Sequence, residues 1–111
     1  MSIRYSNPKL DTAFYALANG KRRGMVNSLA YSPSTVSQLA QEFGLTLPAI
    51  HKHLRALDEA KFIQRKKVGR TNFVALRRES LRDVQSWVMQ FHADWGNDNE
   101  TLENYIASLN N

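Results

Sequence analysis

The sequence predicts a mainly α-helical fold that carries one small β-hairpin. Over most of the 111 residues, apolar side chains recur at the three- and four-residue spacing of amphipathic helices. Between Phe62 and Leu76 the pattern changes to β-branched and aromatic residues around a central Gly69-Arg70, which is typical of two strands joined by a tight turn. The predicted order is therefore four helices, the hairpin and two further helices.

Two helices are predicted at the start of the chain, over about residues 8–19 and 21–30. Asn7 can cap the first helix, and Pro8 suits its first turn. Asn19-Gly20 breaks the pattern between the two helices. One apolar stripe of the first helix consists of Leu10, Phe14 and Leu17. The inward residues of the second helix are Met25, Val26 and Leu29.

A turn is predicted at Tyr31-Ser32-Pro33-Ser34, and a short third helix follows it. Thr35 and Gln38 have the spacing of a capping box at the start of this helix. Gly44 stands in the C-cap position at its end. The inward residues are Val36, Leu39, Ala40 and Phe43.

The fourth helix is predicted over about residues 46–60, with Thr46 as its cap and Pro48 in its first turn. Ile50, Leu54 and Leu57 define its inward stripe. Because successive residues turn by about 100° around a helix, a different set lies on the opposite face or at the N-terminal end. This set consists of Thr46, Leu47, Pro48, His51, Lys52 and Arg55.

The hairpin is predicted over about residues 62–76, with strands Ile63–Lys67 and Asn72–Leu76 and with Gly69 in the turn. A helical pattern returns over about residues 79–96. Its apolar residues form a heptad-like seam suited to packing against another long helix: Leu81, Val84, Val88, Phe91 and Trp95. After a predicted break over Gly96–Asn99, a last short helix carries Leu102, Tyr105, Ile106 and Leu109.

Two short helices joined through Gly44-Leu45 and followed by a hairpin make a winged helix-turn-helix. In this fold the second short helix enters the major groove of DNA, so the helix over residues 46–60 is the candidate recognition helix. Lys52 and Arg55 can contact guanine edges or phosphates, and His51 can donate to a base or a phosphate. The alternative is an ordinary solvated helix face. The position of the helix after a capped short helix and a glycine turn favours recognition.

The hairpin is the candidate wing. Arg65, Lys66, Lys67 and Arg70 lie near its tip, and no acidic residue occurs between Lys61 and Arg78. Such a wing can place cations along the DNA backbone and reach into a minor groove. Cations also protect exposed strand edges from aggregation. That role accounts for one or two of these charges, but not for four without a compensating acid.

The charge and the cysteine content narrow the function further. The net charge is +5, and residues 51–78 hold nine Lys and Arg against two acids, whereas residues 79–111 hold one against six. A surface that binds a polyanion needs such a concentration of positive charge. The chain has no cysteine, which excludes disulfides, thiolate zinc sites and thiol redox switches. No apolar run is long enough for a membrane helix and no secretory signal begins the chain, so we expect a cytoplasmic protein without a membrane partner.

With these elements in place, the chain resembles the ArsR/SmtB family of bacterial winged-helix repressors over about residues 9–96. The resemblance is carried by ALANGKRRGMVNSL and by VSQLAQEFGLTLPAIHKHLRALDEAKFIQRKKVGRTNFVAL. The C-terminal stretch SLRDVQSWVMQFHADWGNDNETLENYIASL is similar to a branch of the family that does not sense metals, the SdpR-like autorepressors.

The resemblance implies a homodimer on double-stranded DNA, built from the helices over residues 8–19 and 79–96. The interface would consist of Leu10, Phe14, Leu17, Leu81, Val84, Val88, Phe91 and Trp95. Two recognition helices would then reach successive major grooves of an inverted repeat. The family also implies repression by blocking a promoter.

The chain departs from the family members that sense metals. Their cysteine-containing motif on the third helix corresponds here to Val36-Ser37-Gln38-Leu39. On the long helix the only candidate ligands are Asp83, His92 and Asp94, and a metal site needs three or four convergent ligands. We therefore predict no metal or other cofactor. His53 is predicted to be packed and hydrogen-bonded.

Several alternatives stay open on the sequence alone. Lys21, Arg22 and Arg23 either contact phosphates or are solvated. Trp87, Phe91, Trp95 and Tyr105 either line a small-molecule pocket or fill the dimer interface. A winged helix can also serve protein contacts without DNA. No set of catalytic residues is apparent, so an enzyme is not expected.

Overall fold

The computed structural model describes residues 7–91 and 98–110, and it confirms a mainly helical fold with a small sheet. The helices are α1 (Pro8–Leu17), α2 (Gly20–Tyr31), α3 (Val36–Glu42), α4 (Leu47–Glu59), α5 (Glu79–Met89) and α6 (Asp98–Leu109). The strands are β1 (Ser34–Thr35), β2 (Ile63–Val68) and β3 (Thr71–Leu76). In this described part of the chain, no helix is both long and apolar enough to span a membrane.

The predicted N-terminal caps are confirmed. The side chain of Asn7 accepts from the Leu10 backbone N–H at 3.0 Å, and that of Thr46 accepts from the Ala49 N–H at 3.3 Å. Both halves of the capping box between Thr35 and Gln38 are formed. Each cap satisfies a backbone N–H that has no partner inside its helix. Asn19, predicted only as a break, also caps α2 by accepting from the Arg22 N–H.

The ends of α3 and α4 share one geometry. Gly44 follows α3 with φ +63°, and its N–H and that of Leu45 donate to the Gln41 and Ala40 carbonyls. Lys61 follows the C-cap of α4 with φ +60°. Its N–H donates to the Asp58 carbonyl, and the N–H of Phe62 donates to the Leu57 carbonyl. Both ends are therefore Schellman motifs. The second has a lysine in the left-handed position that normally favours glycine.

The sheet has three antiparallel strands in the order β1-β3-β2. The predicted hairpin is confirmed, and each strand is one residue longer at the turn than expected. The turn predicted at Tyr31–Ser34 is wrong at both ends, because Tyr31 is the last residue of α2 and Ser34 pairs with Val74 in β1. This two-residue strand ties the start of α3 to the wing.

The core lies where the first four helices meet the sheet. Its largest fully buried side chains are Phe62, Met25, Leu39, Ile50, Leu54, Leu57, Ile63 and Val74. The predicted inward stripe of α4 is therefore confirmed. On α1 the buried residues are Ala13 and Ala16, whereas Phe14 remains 38% exposed. The small residues of α1 pack inward, which leaves its larger apolar side chains nearer the surface.

The C-terminal helices differ from their predicted bounds. α5 ends at Met89, so the predicted helical structure is wrong at Gln90 and Phe91, which lie in a turn. α6 begins at Asp98, so the predicted break over Gly96–Asn99 is wrong at its last two residues. The candidate ligands His92 and Asp94, the seam residue Trp95 and Gly96 at the start of the predicted break lie outside the described residues.

Candidate nucleic-acid interface

The fourth helix, α4, presents two chemically distinct faces. Its buried face anchors it to the core through Ile50, Leu54 and Leu57. The predicted recognition residues lie away from the core: Thr46, Leu47, Pro48, Lys52 and Arg55 are exposed, and His51 is half-buried. A rigid helix with anchored apolar residues and an exposed cationic face is what major-groove recognition needs.

The wing exposes its positive charges. Gly69 turns the hairpin with φ +62°, and all β2 residues after Ile63 are exposed, as is Arg70. Arg65 pairs with the buried Val74, whereas Lys66 pairs with Phe73, which is 42% exposed. Because side chains alternate across a strand, Arg65 lies on the side of the sheet that faces the core, and Lys66 lies on the outer side.

A direct contact joins α4 to the wing. An Nη of Arg65 lies 3.4 Å from Nδ1 of His51. A guanidinium has donors only, so Nδ1 of His51 is the acceptor in this contact and the ring N–H lies on Nε2. His51 can therefore offer Nε2–H as a donor to a base or a phosphate while Arg65 holds its ring.

A groove separates the start of α4 from the wing. It is lined by Thr35, Val36, Ser37, Leu47, His51, Arg70, Thr71 and Asn72. Hydroxyl, amide, imidazole and guanidinium groups thus converge on one concave surface. These are the side-chain donors that proteins use for phosphate oxygens.

None of the ion pairs formed among the described residues neutralises a cation of this surface. Across residues 7–91 and 98–110, the ion pairs are Lys9–Asp83 and Arg77–Glu79, and neither includes a cation of the recognition helix or the wing. The positive charge of α4 and the wing is therefore available to an external anion.

Each of the three cations at the start of α2 donates to a backbone carbonyl at or near the end of a helix. Nζ of Lys21 donates to the Phe43 carbonyl at 3.1 Å, and an Nη of Arg23 donates to the Leu17 carbonyl at 2.8 Å. Arg22 is buried and donates to the carbonyls at the end of α1. The sequence alternatives missed this role because it depends on how α1, α2 and α3 meet. Cations next to helix C-termini also compensate the negative end of the helix dipole.

The predicted dimer face lies on α1 and α5. Phe14 packs edge-on against Trp87 at 5.3 Å between ring centroids, and Trp87 packs against Phe91 at 4.8 Å. Val88 and Phe91 are 55% and 64% exposed, whereas Leu17, Leu81 and Val84 pack against the core of their own subunit. The face is thus an exposed aromatic cluster bordered by partly buried aliphatic residues, with Leu10 half-buried in α1.

The structure also bears on the metal and histidine predictions. Within the described residues, no group of three or more His, Cys, Asp and Glu side chains is placed to hold a metal ion. His53 is half-buried and accepts from Arg22, as predicted for a packed histidine. Burial lowers the pKa of His53 below its ordinary value, and the charges of Arg22, Lys21 and Lys52 lower it further.

Comparisons with known proteins point to one family. The family model described as bacterial regulatory protein, arsR family, matches residues 19–65, from the cap of α2 into β2. The HTH-type transcriptional regulator Rv2034 of Mycobacterium tuberculosis is 39% identical over 59 residues, which are 53% of this chain and 53% of that protein. The match therefore spans about half the length of this relative. The transcriptional repressor SdpR of Bacillus subtilis is 26% identical over 89 residues, which are 80% of this chain and 99% of that protein.

Solved structures agree with this grouping. A crystal structure of an ArsR family transcriptional regulator is 34% identical, with a TM-score of 0.72, over 77% of this chain and 89% of that one. An ArsR-like regulator from Rhodococcus sp. RHA1, 24% identical over 90% and 92% of the two chains, shares the fold with a TM-score of 0.75. The homodimeric winged helix-turn-helix domain Mb0332 of Mycobacterium bovis, 22% identical over 75% and 77%, shares it with a TM-score of 0.62. The chain belongs to the arsR family of bacterial transcriptional regulators, and its fold is the winged helix-turn-helix.

Proposed function

We propose that this protein is a transcriptional repressor that binds an inverted repeat in double-stranded DNA as a homodimer. The observation that carries the proposal is the unpaired cationic surface formed by α4 and the wing and joined by the contact between His51 and Arg65. Counterion release from neutralised phosphates supplies the affinity of such a surface. The full chain, residues 1–111, acts as one DNA-binding domain in this proposal.

In the proposed complex, α4 lies in the major groove with its N-terminal half nearest the bases. Lys52 and Arg55 read base edges or hold phosphates, His51 donates through Nε2, and Leu47 packs against a thymine methyl group. The wing cations Arg65, Lys66, Lys67 and Arg70 follow the adjacent backbone. The exposed Thr46 and Pro48 lie at the helix end that approaches the DNA.

The homodimer is proposed from the exposed aromatic cluster on α1 and α5. Phe14, Trp87 and Phe91 form a contiguous apolar surface, of the kind that marks protein contacts. A second copy packed on this face would turn two recognition helices toward one side of the dimer. Operators of such dimers are inverted repeats with half-sites one helical turn apart. The family relationship and the homodimeric neighbour support this arrangement.

We assign the chain a binding role and not a catalytic one, because the family to which it belongs consists of transcriptional regulators. A regulator of a bacterial promoter acts where the DNA lies, so we propose that it functions in the cytoplasm. No cofactor is needed for the contacts described.

The decisive experiment is selection from a pool of random duplexes. Purified protein retains its preferred sequences, which are amplified and sequenced over several rounds. Enrichment of an inverted repeat is the expected result, and binding to it should fall steeply as salt rises. A pool that stays random, or binding that ignores salt, would refute the proposal and favour a winged helix used for protein contacts.

A second candidate is a repressor that responds to a small molecule. A cleft between α1 and α5 is lined by Asn7, Lys9, Leu10, Asp83, Ser86, Trp87 and Gln90. A ligand there would release DNA only if it bound one dimer shape more tightly than the other. Metabolite screening by Trp fluorescence, followed by operator titration with each hit, separates this candidate from a repressor without an effector.

A further inference from the structure

Arg22 is the buried charged residue among the described parts of the chain, and each nitrogen of its guanidinium has a partner. Nε donates to the Ala16 carbonyl at 2.8 Å, one Nη donates to the Tyr15 carbonyl at 2.9 Å, and the other lies 3.3 Å from Nδ1 of His53. The guanidinium also stacks over the Tyr15 ring, 5.1 Å from its centroid. Burying a charge is costly unless its donors are satisfied, so the sequence retains a specific polar site here.

This site links three helices. Arg22 lies in the first turn of α2, its two carbonyl partners lie at the end of α1, and His53 lies on α4 between the DNA-facing residues Lys52 and Arg55. In the proposed dimer, α1 contacts the partner subunit and α4 contacts DNA. Arg22 therefore fixes the dimer-forming helix to the recognition helix.

The contact between Arg22 and His53 exists only while the imidazole is neutral. A guanidinium cannot accept a hydrogen bond, so Nδ1 of His53 must be the acceptor and the ring proton lies on Nε2. Protonation of His53 would place a donor against a donor and a cation against a cation. The charged groups that act on His53 are Arg22 and Lys21 from α2 and Lys52 from α4, and with burial they keep its pKa below the ordinary value.

We propose that Arg22 and His53 are positioning residues, whose contact sets the placement of α4 relative to α1 and thereby the distance between the two recognition helices of the dimer. This inference rests on the proposed function. Neither side chain belongs to the DNA-facing surface, so loss of the contact leaves the phosphate contacts intact. Specific binding suffers, because both helices must reach their half-sites at a fixed spacing.

Two variants test the proposal. His53→Asn places an amide oxygen near the position of Nδ1 and removes the titration, whereas His53→Leu removes the acceptor. At about pH 7.5, His53→Leu should bind the selected inverted repeat roughly 10-fold more weakly, because a guanidinium left without its acceptor no longer holds α4 in place relative to α1. Its affinity for a random duplex should match that of the wild type, and so should the slope of log affinity against log salt concentration. His53→Asn should retain operator binding.

The pH dependence of operator binding is a second measurement, and it would not change if His53 only filled space in the core. Lowering the pH through the depressed pKa of His53 protonates its ring, and operator binding by the wild type should then fall. His53→Asn should lose less operator affinity, because the two proteins differ only at this side chain. If His53→Leu fails to fold, this comparison carries the test alone. Equal losses in both proteins, or wild-type operator binding by His53→Leu, would overturn the proposal.

A measurement without DNA separates this inference from the proposed function. The imidazole ¹⁵N shifts of His53 in the free protein should report a neutral ring protonated at Nε2. A ring protonated at Nδ1 would overturn the positioning contact, whatever the protein binds. The wild-type protein could instead show the Nε2–H tautomer and yet bind no duplex. That result would refute the proposed function and, with it, the positioning role.

Discussion

At the scale of single residues, Lys52 and Arg55 are the most direct test of the recognition helix. Both are exposed on α4, opposite the buried Ile50, Leu54 and Leu57, so their truncation leaves the core unchanged. We expect Lys52→Ala or Arg55→Ala to weaken binding to the selected operator by about 1–3 kcal/mol, with a smaller effect on random duplex. Fluorescence anisotropy titrations measure both affinities.

A matched control removes the same charge elsewhere. Arg82→Ala deletes an exposed cation from α5 and should change operator affinity little. Wild-type operator binding by both Lys52→Ala and Arg55→Ala would exclude the two residues from the DNA-facing surface. The cationic face of α4 would then serve solubility only.

The two Schellman motifs give a stability prediction at the same scale. Lys61 has φ +60°, a conformation that costs a non-glycine residue roughly 1–2 kcal/mol. Lys61→Gly removes this cost but raises the entropy of the unfolded chain, so the free energy of unfolding should rise by about 0.5 kcal/mol. Chemical denaturation at constant m-value measures the change.

Gly44 provides the reciprocal variant, since it has φ +63° at the end of α3 and no atom lies within 4 Å of an added Cβ. Gly44→Ala should therefore lower the free energy of unfolding by about 1 kcal/mol through backbone strain alone. A destabilised Lys61→Gly variant would mean that the side chain of Lys61 contributes more than its backbone conformation costs.

At the scale of elements, local signals predicted the ends of several helices and the hairpin. Caps at Asn7, Thr35 and Thr46 and the glycine at position 44 depend on residues three or four positions apart, so the sequence marks these helix ends directly. The hairpin is likewise local, because its register follows from the turn at Gly69. The basic face of α4 follows from helical periodicity once its buried stripe is known.

The features that the sequence did not predict depend on distant partners. β1 is two residues long and exists because β3 lies beside it, which the local pattern around Ser34 cannot indicate. The buried role of Arg22 requires the carbonyls of α1 and the ring of His53 to meet it in space. The pairing of Trp87 with Phe14 requires α5 to cross α1. Such contacts are fixed by tertiary packing and not by spacing along the chain.

The wing yields a prediction that compares its two sides. Lys66 lies on the outer side of the sheet. Lys66→Ala should therefore weaken binding to all duplexes by a similar factor and lower the slope of log affinity against log salt concentration by about one. Arg65 contacts His51, so Arg65→Ala should also release that ring and reduce discrimination between operator and random duplex. Titrations of both duplexes at several salt concentrations resolve the two effects. A sequence-dependent loss for Lys66→Ala would mean that Lys66 reads bases.

At the scale of the whole molecule, the single chain is more extended than a compact domain of its length. The Cα radius of gyration is 19.5 Å, against about 13 Å expected for a compact domain of this length. The apolar side chains of α6 are also exposed, among them Leu102, Tyr105, Ile106 and Leu109. A small core is commonly supplemented by association, and here most of the exposed large apolar side chains lie on or next to α1, α5 and α6. Dimerisation would therefore supply stability as well as symmetry.

Trp87 tests this dependence on a partner, because it lies between Phe14 and Phe91 at the centre of the aromatic cluster. Truncating a central aromatic residue of an interface typically costs about 2 kcal/mol or more, so Trp87→Ala should raise the dimer dissociation constant at least roughly 30-fold. Sedimentation velocity over a range of protein concentrations measures that constant.

Two control variants accompany Trp87→Ala. Trp87→Phe retains an aromatic ring, so its dimer should dissociate far less, and Tyr31→Ala removes an exposed aromatic side chain from α2. Because two half-sites must be bound together, the operator affinity of Trp87→Ala should fall with its dimer fraction, while a single half-site should be bound as weakly as by the wild type. A Trp87→Ala protein that remained dimeric at nanomolar concentration would place the interface elsewhere on the molecule.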